Sequence, residues 1–153
     1  MGPMYHLLEE ADRVQAMNAA LKLLAPGGII FVSFINTFAG IIYYMREAPE
    51  AIVIPNETEY MERFLTRKSF AGDAFTKAFF IEQSEILLFM EQFPLKKLHL
   101  FGQEGVMSPC EKNIMSQPKE IVDAWLDLCE KLWDREDLLN WAEHPMYVGR
   151  KEH

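Results

Sequence analysis

The sequence predicts an α/β domain, and three observations carry that prediction. Leu7 to Leu24 places apolar residues at Val14, Met17, Leu21 and Leu24, the three-and-four spacing of a helix with one buried stripe. Ala25-Pro26-Gly27-Gly28 stops that helix, and Ile29 to Phe34, IIFVSF, follows at once. That run is rich in β-branched and aromatic residues and suits a strand covered on both faces. Leu95 to Phe101, LKKLHLF, alternates as a half-exposed strand does. Helix, turn and covered strand in this order make half of a β-α-β crossover.

The remaining elements follow from local pattern. Thr37 to Glu47 reads as a helix, with Pro49 and Pro55 bounding what comes next. Glu57 to Lys68 reads as an amphipathic helix with Tyr60, Met61, Phe64 and Leu65 on one side, a natural lid or cap beside a sheet. Ala74 to Phe80 suits a strand, and Gln83 to Phe93 a helix with Ser84 as its N-cap. Pro118 falls at a first helical turn, followed by Ile121, Val122, Trp125, Leu128 and Leu132 at helical spacing. A short helix over Arg135 to Ala142 leads to the strand-like tail MYVGRK. No repeat, low-complexity tract or linker divides the chain.

Composition narrows the classes of function. At 153 residues, half of them hydrophobic and a quarter charged, the chain has the length and balance of one folded domain. Fifteen basic against twenty-three acidic residues give a formal charge of -8, which repels nucleic-acid backbones and anionic lipid. The densest basic clusters, Arg67-Lys68 and Lys96-Lys97, are only pairs, so no nucleic-acid partner is expected. Ala25 to Met45 is uncharged and nearly long enough to span a bilayer. Pro26-Gly27-Gly28 breaks it, however, and Ser33, Asn36 and Thr37 lie near its middle, so a strand and a buried helix are expected and no membrane. Cys110 and Cys129 form neither a CxxC nor a metal-spaced cluster, and a reducing cytoplasm is the expected compartment. Met1 to Asp12 lacks the basic start of a secretory signal. His6, Glu9 and Glu10 have helical spacing, yet HExxH is absent and no metal site is expected.

In order, GPMYHL, a helix, LAPGGIIFVSFIN, an insertion, FFIEQSEILLFMEQF, KKLHLFGQEG, a helix and HPMYVGRK resemble the second half of a class I S-adenosylmethionine-dependent methyltransferase. The resemblance covers nearly the whole chain. In that family a strand ends in a loop similar to GPMYHL, a helix follows, and L-x-P-G-G leads into the fifth strand. The counterparts here are Met1 to Leu7, Val14 to Leu24, and Leu24 to Gly28. The resemblance implies the C-terminal part of a Rossmann-like sheet, with a closing antiparallel strand pair and a helical, cap-like insertion over 37–80, all in a single domain over 1–153. It also implies S-adenosylmethionine as cofactor. The chain departs from the family in one respect: its glycines never form the GxG of a nucleotide-binding turn, and no acidic residue follows such a turn to hold the ribose.

Methyl transfer asks the protein mainly to position an acceptor and sometimes to remove its proton. The resemblance implies that Gly2 and Pro3 lie beside the cofactor's methionine part, while Tyr5 and His6 face the acceptor. There His6 serves as a general base and Tyr5 orients the substrate or contacts the sulfonium; alternatively both rings cap or pack the helix start. Asn36, at the carboxyl end of the predicted strand, is a candidate substrate contact or a strand-ending turn. Tyr43, with Phe38 and Tyr44, lines an acceptor pocket or belongs to the core. Glu104, in a Gly102–Gly105 turn that resembles the family's Glu-Gly turn, binds a polar or cationic acceptor or is an exposed turn carboxylate. Cys110 and Cys129 read as structural.

Two accounts of function follow, with an unrelated α/β enzyme as a third that a pocket away from the Met1 to Leu7 loop would favour. In the first, the chain is the C-terminal portion of a methyltransferase for a small-molecule acceptor, inactive on its own for want of the Gly-rich half. In the second it is a non-catalytic α/β remnant, an interaction or assembly module that forms homo-oligomers such as a dimer through an uncovered sheet edge or face.

Overall fold

The computed structural model describes residues 4–73 and 76–152. A 3-10 turn, Met4–His6, precedes α1 (Glu10–Leu23), β1 (Ile29–Ser33), β2 (Ile35–Asn36), α2 (Ala39–Glu47) and α3 (Pro55–Glu62). Next come β3 (Phe70–Asp73), β4 (Lys77–Ile81), α4 (Gln83–Met90), β5 (Leu95–Gly102), α5 (Glu111–Met115), α6 (Lys119–Leu132) and β6 (Pro145–Lys151). The result is an α/β arrangement with two small, mostly antiparallel sheets, ordered β1-β6-β5 and β2-β4-β3. Among the described strands only β2 and β4 pair in parallel. Phe34 alone separates β1 from β2, so one extended stretch of chain serves both sheets.

The register explains which residues are covered. Val32 lies opposite Tyr147, which lies opposite Leu100, and all three are buried. This row faces a core built with Met17 and Leu21 of α1, Ile86, Phe89 and Met90 of α4, and Phe93. Full burial of side chains such as Met17 or Ile86 stabilises by about 2 kcal/mol each. The next row, Phe31 opposite Val148 opposite His99, faces the other way. Trp133 packs against His99 and Phe101 on that side, but Phe31 at the sheet's edge stays 66% exposed and Ile29 45%. The expectation of a strand covered on both faces therefore fails for β1: only one face has helices laid on it.

The end of α1 is fixed by the turn and by the last strand together. Gly27 sits at a φ of +75°, where a side chain costs about 1–2 kcal/mol. A Cβ on Gly28 would come within 2.8 Å of the Ala25 carbonyl oxygen. Lys151 reaches back from β6 and donates its Nζ to the carbonyls of Leu21 and Leu24, both at 2.7 Å, satisfying the helix's terminal acceptors and meeting its negative dipole end.

Several local expectations are corrected. The predicted helix over Glu57 to Lys68 instead begins at Pro55 and tightens into a 3-10 turn at Arg63–Thr66, ending where Arg67 adopts a left-handed φ of 54°. Ser84 is not an N-cap, because α4 starts one residue earlier and Glu82 takes the cap position. Pro118 is the N-cap of α6 rather than a residue of its first turn, and no residue of α6 is fully buried. The insertion over 37–80 is not purely helical. It carries the β3–β4 hairpin, in which Phe70 stacks on Phe80 at 4.9 Å as part of an aromatic column with Phe64 and Tyr60. The strand expected over Ala74 to Phe80 runs Lys77–Ile81, and 74–75 lie outside the described residues. The uncharged stretch over 25–45 resolves into a turn, the two strands β1 and β2 and part of α2, and among the described residues no helix is long and apolar enough to cross a membrane.

Arg13 ties the chain before α1 to the sheets. It is only 6% exposed, its guanidinium lies 3.6 Å over the Phe79 ring, and Nη1 donates to the carbonyls of Leu7 and Leu8 at 2.7 and 2.8 Å. Burial pulls its pKa below the usual arginine value, an effect that nearby Glu10, Glu9 and Asp12 oppose. Arg13→Ala leaves two carbonyls and a ring without their partner, and is expected to cost about 3 kcal/mol in urea unfolding. A loss under about 0.5 kcal/mol, the range of an ordinary surface change, would show that Arg13 does not anchor this loop.

Candidate functional site

The carboxyl ends of β1 and β5 and the start of β6 meet at one edge of the larger sheet. Gly102 pairs with Pro145, and a Cβ on Gly102 would lie 2.4 Å from that of Ala142, so the two chains approach closely here. This approach brings the turn after β5 against the loop before β6. The Gln103 N–H donates to the His144 carbonyl at 2.9 Å, and the Gln103 amide donates to the Ser33 hydroxyl at 2.7 Å.

Glu104 and His144 form the central pair of this edge. His144 Nδ1 lies 2.5 Å from Glu104 Oε1, and the main-chain N–H of His144 donates to Oε2 at 3.0 Å. Burial works to raise the Glu104 pKa, but the hydrogen bonds and charge of His144 outweigh it and hold the carboxyl below its ordinary range. The bond to Glu104 holds the imidazole above its ordinary value against the opposing effect of burial, with Glu104 and Glu143 adding their charge. Glu104 is thus a partly buried, committed partner of an imidazole rather than an exposed turn carboxylate.

Tyr5 and His6 stand beside this pair. Their rings are 4.6 Å apart, and the Tyr5 ring is 6.1 Å from that of His144. Tyr5 also packs against the second core, formed by Ile35, Ala39, Ala78 and Phe80. Met4 is buried in the main core, and Arg13 holds the carbonyls that follow. Gly2 and Pro3, the expected cofactor contacts, lie outside the described residues.

Asn36 and Tyr43 are the remaining expected substrate contacts. Asn36 is wholly buried, with its amide donating to the carbonyls of Leu139, at 3.2 Å, and Ala142. No face of it is open to a substrate; it fixes the turn before β6, the strand-ending role, and leaves Oδ1 buried without a partner. Tyr43 is half exposed and meets Tyr44 edge-on at 5.8 Å. Tyr44 donates to Glu57 across the insertion, and burial together with that carboxylate raises its pKa; burial pushes Tyr60 up to about 12.

A cleft of about 700 Å³ opens next to Glu104, between the turn after β5 and α6. Phe101, Met107, Met115, Leu126 and Trp133 give it apolar walls, and Cys129 lines it without an activating partner among its neighbours. Three of its lining residues, Glu104, Glu111 and Glu130, are acidic and none is basic. Beneath it, Arg46 pairs with Glu143 and with Glu47 at 2.9 Å, while the Ser108 hydroxyl donates to Glu143 at 3.3 Å. Among the described residues no group of three or more His, Cys, Asp and Glu gathers as metal ligands do.

Sequence reasoning missed His144, Gln103 and the Arg46–Glu143 pair. Only one signal pointed to them: if LKKLHLF and MYVGRK pair antiparallel, the end of the first meets the start of the second, and Glu104 falls beside His144. A scan against protein-family models finds none that matches the chain, and a search of curated proteins finds no matching relative.

The pair makes stability depend on pH from both sides. The raised His144 contributes stability that is full below its ordinary 6.5 and fades as pH climbs through the raised value. The lowered Glu104 contributes stability that is full above its ordinary 4.5 and fades as pH falls through the lowered value. The pair is therefore fully expressed between about pH 4.5 and 6.5. Glu104→Gln is expected to cost about 1–2 kcal/mol in that window and clearly less at pH 9, read from urea midpoints. A cost that does not change with pH would show that His144 is not charged in the pair.

Proposed function

We propose that the chain forms the acceptor side of an S-adenosylmethionine-dependent methyltransferase acting on a small molecule. The observation that carries this reading is the order β1-β6-β5, in which the last strand lies antiparallel between two strands that run parallel to each other. That order supports the closing antiparallel pair of a Rossmann-like methyltransferase sheet. It also puts the Met4–His6 loop at the edge where the parallel strands end, the side on which open α/β sheets bind ligands. The cleft beside Glu104 has the volume of a small-molecule pocket.

The described residues suit an acceptor and a proton, and they do not suit a nucleoside. Three carboxylates of this edge already have partners, Glu82 in Thr37 at 3.0 Å, Glu104 in His144 and Glu143 in Arg46. No GxG turn is present to let a nucleotide approach the backbone. In this reading the acceptor lies at the edge itself, where Tyr5 orients it and an imidazole removes its proton, and the apolar cleft adjoins that edge through Glu104.

The reading expects the codons preceding Met1 to encode, in frame, a strand and a GxG turn. The longer protein is expected to bind S-adenosylmethionine one to one in calorimetry, while the 153-residue chain binds it at least a hundredfold more weakly. Tight one-to-one binding by the 153-residue chain itself, or a stop codon directly upstream, counts against this assignment.

A second reading, an assembly module, is favoured by one specific feature. β1 is uncharged, carries Phe31 and Ile29 exposed, and among the described strands pairs along one edge only, with β6. Such an edge is a template for a second copy of the same strand. Sedimentation at micromolar concentration is expected to show a dimer that Phe31→Lys converts to a folded monomer. A wild-type monomer sinks this reading and leaves the first standing.

A further inference from the structure

We propose that His144, oriented by Glu104, is the proton-accepting group of this edge, taking the proton of a bound acceptor's O–H or N–H onto Nε2. The acceptor rests on the methyltransferase reading; the poised imidazole rests on geometry alone. A carboxylate only accepts hydrogen bonds, so the 2.5 Å contact places the ring proton on Nδ1. The lone pair of the neutral ring is then on Nε2, and among the described residues nothing bonds to that nitrogen. The side chain is 33% exposed, enough for access.

The ring is held from several directions. Glu104 grips both the ring and the main-chain N–H of His144, so its carboxylate cannot rotate without losing one of them. The His144 carbonyl accepts from the Gln103 N–H, and the Gly102–Pro145 pair closes the ladder beside it. The groups facing the imidazole are Glu104 from the turn after β5, Glu143 from its own loop, and the Tyr5 ring with His6 behind it. Arg46 of α2 pairs with Glu143, so Glu104 is the carboxylate in direct contact with the ring, and Glu143 adds its charge from farther off. In the step itself, the proton passes from the acceptor's oxygen or nitrogen to Nε2, and the electron pair of the broken bond stays on that atom as the nucleophile. Nε2 later returns the proton to solvent. This arrangement is that of a positioned general base, in which a partly buried carboxylate fixes the tautomer and balances the charge.

Imidazole ¹⁵N NMR of the full chain tests the geometry without any cofactor. His144 is expected to show a protonated Nδ1 and a bare Nε2 when neutral, titrating above 6.5, with the midpoint shifted down in Glu104→Gln. An Nε2–H tautomer, or a midpoint that Glu104→Gln leaves in place, overturns the proposal. Diethyl pyrocarbonate tests access: His144 is expected to be modified at Nε2, at a rate that rises with pH through the same midpoint. A His144 left intact while the exposed His99 reacts overturns it as well. If the longer protein fails to transfer methyl groups although both results hold, the methyltransferase reading falls and His144 stands as the base of another proton transfer.

Discussion

The strand Pro145–Lys151 is the constraint on which the rest of the molecule depends. It is the last strand in the chain and the central one in its sheet, with β1 and β5 bound to its two edges. Each pairing closes a long loop, and the entropy this costs is offset by a ladder on both sides and by the burial of Tyr147 between Val32 and Leu100. The two ends of the strand have separate consequences. At one end Lys151 caps α1, which positions the helix that carries Arg13 and so the Tyr5–His6 loop. At the other end Pro145 meets Gly102, which sets His144 against Glu104. The candidate site is therefore assembled from both sides by one strand's register.

What was legible in the sequence was what is local. The break at Pro26-Gly27-Gly28, the strand after it and the alternation of LKKLHLF each have a cause within a few residues, and each appears where expected. Burial of β1 was not legible, because an apolar run looks the same whether one face or two are covered. The β3 strand was missed since Phe70 and Gly72 give too short a pattern to read without Phe80 opposite. The same limit applies to the site. Tyr5, His6 and Glu104 stood out from their surroundings, but His144 gains its meaning only from Glu104, and no spacing rule links residues that a sheet ladder brings together. Asn36 was seen as a strand end, yet its partners at Leu139 and Ala142 lie in a different third of the chain.

Polar groups at this edge are matched with few exceptions, and that matching makes it rigid. Thr37 bonds Glu82, the Glu82 N–H donates to Ser69 at 2.8 Å, and Ser69 in turn bonds Glu85 at 2.6 Å. These links cross from the main strand to the insertion, so the β3–β4 hairpin is fastened to the site by hydrogen bonds as well as by the aromatic column. Burying so many polar groups is costly unless nearly all find partners, and a network this complete has few alternative arrangements of comparable energy. Asn36 Oδ1 is its buried exception, whereas His144 Nε2 belongs to a side chain that is one-third exposed and so can meet a ligand or solvent.

The chain's apolar residues are distributed unevenly, and this asymmetry separates rigidity from selectivity. Met17, Ile86 and their neighbours fill one face of the larger sheet, whereas Phe31, Ile121, Trp125 and Leu128 remain exposed on β1 and α6. A helix with so strong an apolar stripe and no fully buried residue is held by few contacts, which places it among the elements that can shift at low cost. The cleft beside Glu104 takes one wall from this loosely held helix and the other from the tightly paired end of β5. Changes in α6 can thus alter what the cleft admits without disturbing the Glu104–His144 geometry, because that geometry is fixed by β6 and not by the helix. A cleft built in this way keeps the Glu104–His144 geometry fixed while its shape follows the less tightly held wall.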